Sequence, residues 1–135
     1  MQQISALILA QDLKQPQVFE RHSIHRPDRQ SELLVNAWWV YRVFGQTYLL
    51  LTVENRSASK PWVLERAEVR VGGKGQGNEI EVLAVKTEHP ALPPTERQRV
   101  VVVFPTPEQQ VHETVNVSLF EKDGKRHVKL TGIDL

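Results

Sequence analysis

A chain of 135 residues can bury about two thirds of its unfolded surface in one domain, so its core needs no metal ion or disulfide. Its 17 basic and 16 acidic residues are mixed along the sequence and give a net charge of +1, which excludes the basic footprint of a nucleic-acid-binding protein. The absence of cysteine excludes disulfides, thiol catalysis and zinc sites built on sulfur, and it leaves the cellular compartment open.

The N-terminal segment carries a short amphipathic pattern. Ile4, Leu7 and Ile8 lie on one face of a helix predicted over residues 3–14, and Pro16 ends it. The apolar run is short and no positive charge precedes it, so it predicts neither a secretory signal nor a membrane span. We expect a soluble chain; an exported protein would already have lost its signal.

A polar stretch follows the predicted helix and favours an irregular connector over residues 15–30. Within it, "ERHSIHRPDRQ" contains Arg26 and Arg29 and is typical of a solvated or partner-facing linker. Its two histidines could share a metal only on a helix, and a proline follows closely with no third ligand at a recognisable spacing. We therefore divide the chain into helix and connector, residues 1–32, and a β domain, residues 33–135.

From Leu33 onward the pattern is that of strands. "VNAWWVYRVFGQTYLLLTVEN" predicts two strands joined at Phe44 to Gln46. In "WVLERAEVRV" the apolar phase slips by one near Glu65 and Arg66, which predicts a β-bulge or a bend towards another sheet. "VGGKGQGNEI" resembles a phosphate loop in its glycines, but a strand-like stretch follows where a helix is required, so it favours a connection between strands.

The last third of the chain predicts strands of two kinds. "EIEVLAVKT" and "QRVVVVF" are apolar on both faces, so we expect an opposite sheet to cover one face and the N-terminal helix or a neighbouring subunit to cover the other. "TVNVSLFEKDGKRHVKLTGIDL" predicts a hairpin with Asp123 and Gly124 in a type I′ turn. The whole pattern predicts a mainly β fold, an immunoglobulin-like antiparallel β-sandwich of about seven strands with a short N-terminal helix.

Residues with catalytic potential form no recognisable set. No serine lies in a G-x-S-x-G motif, and no pair of carboxylates stands out, so we expect no enzyme, no cofactor and no metal. Trp38 and Trp39 are adjacent and should point to opposite faces of a strand. One of them must then lie outside the inter-sheet core, either packed under the N-terminal helix, which we favour, or used as an interface anchor.

Three stretches after Tyr41 carry a family resemblance: "YLLLTVENRSASKPWVLERAEV", "IEVLAVKTEHPALPPTERQRVVVVF" and "VSLFEKDGKRHVKLTGIDL". They are similar to the C-terminal, immunoglobulin-like half of an uncharacterised paralogous family of myxobacteria, a domain of unknown function. The resemblance implies a β-rich domain of an exported or envelope-associated protein and supplies no reaction or ligand. The matching residues are Asn55, Arg56, Ser57, Pro61 and Trp62; Leu92, Pro94, Glu96, Arg99 and Val100, with Thr95 in place of a glycine; and Asp123, Gly124, Arg126, Leu130, Gly132 and Ile133.

These observations predict a non-enzymatic β-sandwich that serves as a protein interaction or structural subunit of a larger assembly, such as an envelope, secretion or virus-like assembly. We expect a protein partner or self-association, without nucleic acid or membrane insertion. The alternative is a carbohydrate or cell-wall binding module that uses exposed aromatic side chains. The candidate interface residues are Ile4, Leu7, Ile8, Arg26, Arg29, Trp38, Trp39 and Tyr41.

Overall fold

The computed structural model describes residues 19–71, 79–106 and 114–134. Within these ranges the chain forms strands joined by turns and short loops. In chain order the strands are β1 (Phe19–Gln30), β2 (Leu33–Val43), β3 (Gln46–Asn55), β4 (Leu64–Val71), β5 (Glu79–Ile80), β6 (Ala84–Thr87), β7 (Arg97–Pro105), β8 (Thr114–Glu121) and β9 (Val128–Asp134).

The strands form two antiparallel sheets that share one core. The first sheet has the order β1-β2-β3-β7-β6, and the second has the order β5-β4-β8-β9. Aliphatic side chains of both sheets pack together with Trp62 between them. The expectation of a mainly β, sandwich-like fold is confirmed. The helix predicted over residues 3–14 lies outside the described residues, and no helix occurs within them.

The central strands of the first sheet, β3 and β7, are buried on both faces. In β7, Val100, Val102 and Phe104 belong to the inter-sheet core, whereas Val101 and Val103 lie on the opposite face, and each of these side chains is 0 % exposed. The prediction that both faces of "QRVVVVF" are buried is therefore confirmed, whereas the N-terminal helix expected to cover the outer face lies outside the described residues. The buried residues on the face turned away from the second sheet form what we call the outward cluster: Tyr41, Val43, Tyr48, Leu50, Val101 and Val103.

The stretch "EIEVLAVKT" is apolar for a different reason. Its first residues form β5 in the second sheet and its last residues form β6 in the first, so the chain crosses between the sheets at residues 81–83. The expectation of one strand covered on both faces is wrong here, because a crossing segment turns different sides towards the core in succession. Since β5 pairs with the end of β4, the glycine-rich stretch after Val71 joins two strands, as predicted.

Residues 19–30, predicted as part of an irregular connector, instead form β1. This strand pairs antiparallel with β2, with a register shift between Ser23 and Arg26. β1 lies at the edge of the sheet, where polar residues are common and where Pro27, which has no N–H to donate, is tolerated. The prediction failed because backbone pairing with β2 defines this strand, and a polar sequence without apolar alternation does not reveal such pairing.

The two hairpin predictions have different outcomes. Phe44 and Gly45 connect β2 to β3 with φ values of 49° and 78°, so this hairpin has the positive φ angles of a type I′ turn, and Phe44 at its tip is 82 % exposed. The β8–β9 hairpin is confirmed, but its connection runs over residues 122–127, and only Asp123 in it has a positive φ. The predicted type I′ turn at Asp123 and Gly124 is therefore wrong.

β4 contains the bulge that its apolar phase slip predicted. Leu64 pairs with Glu121 and Arg66 pairs with Phe120, so Glu65 has no partner in the ladder. Because of this bulge, Leu64 before it and Ala67 and Val69 after it all face the inter-sheet core.

Thr95 occupies a backbone conformation that favours glycine. It lies in the turn before β7 with a φ of 66°, and the Glu96 N–H donates to the Pro93 carbonyl at 3.3 Å across this turn. A left-handed conformation costs a β-branched residue about 1–2 kcal/mol. We expect Thr95→Gly to raise the free energy of unfolding in urea by about 0.5–1 kcal/mol, after the larger unfolded-state entropy of glycine is subtracted.

The matched control is Lys122→Gly, at an exposed turn residue whose φ is not positive. That variant should be equally stable or less stable than the original chain. If Thr95→Gly were destabilising in the same measurement, the strain assigned to Thr95 would be wrong.

Candidate functional site

Residues that carried the family resemblance meet in a polar network around Arg126. Arg126 donates from Nη2 to Glu121 Oε2 at 2.9 Å and from Nη1 to Asn55 Oδ1 at 3.0 Å. Asn55 is itself buried and donates through Nδ2 to the carbonyls of Lys60 and Leu92, at 2.7 and 3.1 Å. The network therefore ties the end of β3 to the loop after it and to the β8–β9 connection.

Trp62 and Gly124 complete this network. Trp62 is fully buried, and its Nε1 donates to the carbonyl of Arg126 at 3.1 Å. A Cβ at position 124 would overlap the carboxyl group of Glu121, which the Arg126 backbone N–H holds in place at 3.1 Å. Glycine at position 124 thus lets the Glu121 carboxyl group approach the backbone closely, and its φ is not positive.

The ion pair in this network is largely shielded from solvent, with 12 % of the Arg126 side chain and 11 % of the Glu121 side chain exposed. Burial raises the pKa of Glu121, but the hydrogen bonds and charge of Arg126, with a smaller effect of His127, outweigh it, so the pKa lies below its ordinary value. Because these charged and amide groups bond to each other, we interpret the network as structural.

Glu121→Gln tests this interpretation through the pH dependence of stability. A carboxylate whose folded pKa is lowered stabilises the fold above its ordinary pKa of 4.5, and this contribution is lost as the pH falls through the folded pKa. We expect the variant to lose about 1–3 kcal/mol at pH 7 and to show a shallower fall in unfolding free energy below about pH 4.5.

The control is Glu79→Gln, which removes a carboxylate that is 57 % exposed and pairs with Arg70 at 3.5 Å. Such a surface pair contributes little, so stability should stay within about 0.5 kcal/mol of the original chain. Urea titrations at a series of pH values measure both variants, and equal acid profiles for Glu121→Gln and the original chain would contradict the proposed role of the pair.

A groove of about 320 Å³ lies on the face of the first sheet that points away from the second sheet. Strand pairing arranges its side chains in rows: Asn36, Thr52 and Arg99 stand in one row, and Trp39 and Leu50 in the next. The groove thus lies where the outward cluster gives way to polar residues. We call it the indole groove; its lining comprises Asn36, Trp38, Trp39, Leu50, Thr52, Arg97 and Arg99.

Both tryptophans reach this groove because β2 is bulged. The register with β3 shifts between Ala37 and Trp39, which makes Trp38 the extra residue. Ala37 and Val40 both belong to the inter-sheet core, so the two residues between them lie together on the other face. The prediction that the adjacent indoles point to opposite faces is wrong, because it assumed unbroken alternation along β2. The inference that one of them lies outside the inter-sheet core holds for both.

The uncharged polar groups of the groove differ in how they are satisfied. Trp38 Nε1 donates to Thr52 Oγ1 at 2.9 Å, so the hydroxyl of Thr52 keeps its proton for another acceptor. Asn36 Oδ1 is buried and accepts no hydrogen bond within the described part of the chain. A buried oxygen without a donor costs about 1–3 kcal/mol, and a donor supplied by a ligand would remove that cost.

The two arginines of the groove also differ. Arg99 donates to Glu88 at 3.0 Å; burial raises the pKa of Glu88, but the hydrogen bonds and charge of Arg99 outweigh it and lower the pKa, so Glu88 stays ionised at neutral pH. Arg97 forms no ion pair with a described residue, and its cross-strand neighbour Glu54 pairs with Arg56 at 2.6 Å. The edge of the groove therefore carries one positive charge that no carboxylate of the described residues compensates.

This lining provides groups for binding. It contains indole surfaces, an amide, a hydroxyl and guanidinium groups, and among the described residues it contains no carboxylate, imidazole or thiol for proton transfer or nucleophilic attack. Sequence patterns identified only its tryptophans. Thr52 and Arg99 could be recognised as polar residues at positions where the alternation along the strand predicts an apolar one. Thr52 lies on the same face of β3 as Tyr48 and Leu50, and Arg99 lies on the same face of β7 as Val101.

The predicted interface residues lie in separate places. Trp38 and Trp39 line the indole groove, and Tyr41 is 4 % exposed in the outward cluster beside it. Arg26 and Arg29 lie on the edge strand β1, where Arg29 is exposed. Among the members whose side chains the structure describes, it brings together the aromatic ones. The N-terminal members, Ile4, Leu7 and Ile8, lie outside the described residues.

Two further site types bear on the sequence predictions. In the ranges that the structure describes, no group of three or more His, Asp or Glu side chains is placed to hold a metal ion. The same ranges contain no helix with the length and apolar character to cross a bilayer.

Asn36→Leu tests whether the buried oxygen of the indole groove is unsatisfied. Replacing it with an apolar side chain of similar size removes a polar group without a donor, so we expect the free energy of unfolding to rise by about 1 kcal/mol in urea. Thr52→Val is the control, because it removes the acceptor of Trp38 Nε1 and should destabilise the chain by a similar amount. A destabilised Asn36→Leu variant would show that Asn36 has a structural partner.

Sequence comparison extends the resemblance seen from Tyr41 onward. No curated protein matches the chain. One family model, described as "Protein of unknown function (DUF2381)", matches residues 1–133 and therefore also takes in the N-terminal residues that the resemblance did not include. Since this match spans nearly the whole sequence, the chain belongs to that family of proteins of unknown function.

Proposed function

We propose that the domain is a non-enzymatic binding module, an immunoglobulin-like β-sandwich that serves as an interaction subunit of a larger assembly and recognises its partner in the indole groove. The observation that carries this proposal is the groove itself, where two indoles surround polar groups with unused hydrogen-bonding capacity. A concave site with an aromatic lining and a few polar groups is the usual form of a ligand site.

The contrast between the two polar clusters supports a binding role. Around Arg126, the charges and amides bond to one another and hold the fold together. In the indole groove, Asn36 Oδ1 and the guanidinium of Arg97 lack partners among the described residues. A buried polar atom without a partner destabilises a fold, so the position of Asn36 Oδ1 in a groove is best explained by a ligand that donates to it. The exposed guanidinium of Arg97 is hydrated and can exchange that water for a ligand.

Protein and carbohydrate partners were both expected from the sequence, and the groove composition favours carbohydrate. Indole surfaces beside an amide and a hydroxyl match a pyranose ring, which has an apolar C–H face and hydroxyls around its rim. A protein partner or self-association through Arg26, Arg29 and the aromatic residues is the second form of the proposal. The exposed Phe44 at the tip of the β2–β3 hairpin favours it as an apolar contact on the surface.

Binding of the purified chain to arrays of immobilised oligosaccharides and peptides tests the proposed function. We expect partners that bind the original chain to lose about tenfold or more in affinity with Trp38→Ala, which removes one wall of the groove. Arg97→Gln is a second groove variant that changes only an exposed side chain and so preserves the fold. Arg70→Gln, at an exposed arginine of the second sheet, is the matched control and should bind normally.

The array distinguishes the forms of the proposal. Retention of oligosaccharides that depends on the groove supports a carbohydrate module, and retention of peptides that depends on the groove supports a protein-binding module. If every array member that binds the original chain binds both groove variants equally well, the indole groove is not the recognition surface and the proposal is wrong.

A further inference from the structure

We infer that the ligand of the indole groove is an acidic saccharide, a pyranose that carries a carboxylate, and that Arg97 binds this carboxylate. The inference rests on the proposed binding function and adds the charge and chemical class of the ligand. Three features of the groove support it: its aromatic surface, its unsatisfied amide oxygen and its uncompensated positive charge.

The aromatic surface fits a sugar ring. Trp38 and Trp39 stand next to each other on one face of the sheet because of the bulge in β2, and Leu50 lies across the ladder from Trp39. These side chains contribute the apolar part of the lining, and a groove of about 320 Å³ has the size of a small ligand site. The C–H face of a pyranose can pack on such a surface while its hydroxyls remain at the rim.

The polar groups of the groove complement hydroxyls. Asn36 Oδ1 needs a donor, and Thr52, whose oxygen already accepts from Trp38 Nε1, has an O–H to donate. Asn36 and Thr52 are directly opposite each other in the ladder, so they present an acceptor and a donor side by side. A hydroxyl donates and accepts at one atom, and neighbouring ring hydroxyls can satisfy both side chains.

The charge of the groove selects an anion. Arg99 is neutralised by Glu88, and Glu54, opposite Arg97, is paired with Arg56. Arg97 therefore contributes a positive charge at the groove edge that no described carboxylate balances. A guanidinium binds a carboxylate through two parallel hydrogen bonds, which a neutral sugar cannot form.

A saccharide fits this position better than an extended peptide. The floor of the groove is β3, whose residues Leu50 and Thr52 are paired on both sides, with β2 and with β7. The floor therefore has no unpaired backbone edge on which a peptide could add a strand. Recognition must come from side chains, and the hydroxyls of a sugar can adjust to isolated side chains more easily than a row of backbone amides can.

Isothermal titration calorimetry with the full chain tests the inference. The probes are tetrasaccharides of galacturonate, mannuronate and hyaluronan, the methyl esters of all three, and a tetrapeptide with an aromatic residue and a C-terminal carboxylate. We expect at least one acidic tetrasaccharide to bind about threefold to tenfold more tightly than its own methyl ester, and to bind more weakly as the salt concentration rises.

Variants test whether the charge that selects the acid over the ester is that of Arg97 in the groove. Arg97→Gln should remove the preference for the acid over the ester, and Asn36→Leu should weaken binding of both. Arg70→Gln, an exposed arginine of the second sheet, should change neither. Circular dichroism of each variant confirms that a loss of binding does not reflect a loss of fold.

The outcomes separate this inference from the proposed function. If an ester binds as tightly as its acid, or Arg97→Gln leaves the preference unchanged, the acidic class is wrong while groove binding stands. If no acidic tetrasaccharide binds, or the tetrapeptide binds more tightly and depends on the groove, the saccharide class is wrong and the array result decides the proposed function. If nothing that binds depends on the groove, both are wrong.

Discussion

Burial of the strand pair β3 and β7 on both faces is the constraint on which the rest of the first sheet depends. In β7, Val100, Val102 and Phe104 pack into the inter-sheet core, and Val101 and Val103 between them are equally buried in the outward cluster. Such strands cannot lie at an edge or face water, so they occupy the interior of the sheet. The polar β1 and the short β6 then form its edges, where exposed backbone groups are least harmful.

The indole groove lies at the border of the outward cluster, where the buried apolar side chains of that face end. Each of the three inner strands carries a polar residue of the outward phase in the same row: Asn36 in β2, Thr52 in β3 and Arg99 in β7. Strand pairing brings these residues into one row, and the bulge at Trp38 adds a second indole at the boundary. The groove therefore lies where the side chains of Trp38, Trp39 and Leu50 adjoin this polar row.

Sequence patterns predicted the features that depend on apolar phase along one strand. The bulge at Glu65 was visible in the sequence because the apolar residues before it and those after it follow different alternation phases. The bulge at Trp38 gave no such sign, because the residues around it are apolar in both phases. β1 and the groove arginines were missed since their positions depend on pairing between distant segments: Arg99 stands beside Thr52 only through the β3–β7 ladder.

The two polar clusters show how differently the same residue types are used. Arg126 is held by Glu121 and by Asn55, so its charge is compensated and its geometry is fixed by three parts of the chain. Arg97 stands at the start of β7, an inner strand of the first sheet, with its charge uncompensated among the described residues. Replacing the first arginine breaks a shielded pair and costs stability, whereas replacing the second leaves every described hydrogen bond in place. A residue that the fold does not need and that the sheet holds at the edge of a groove is available for recognition.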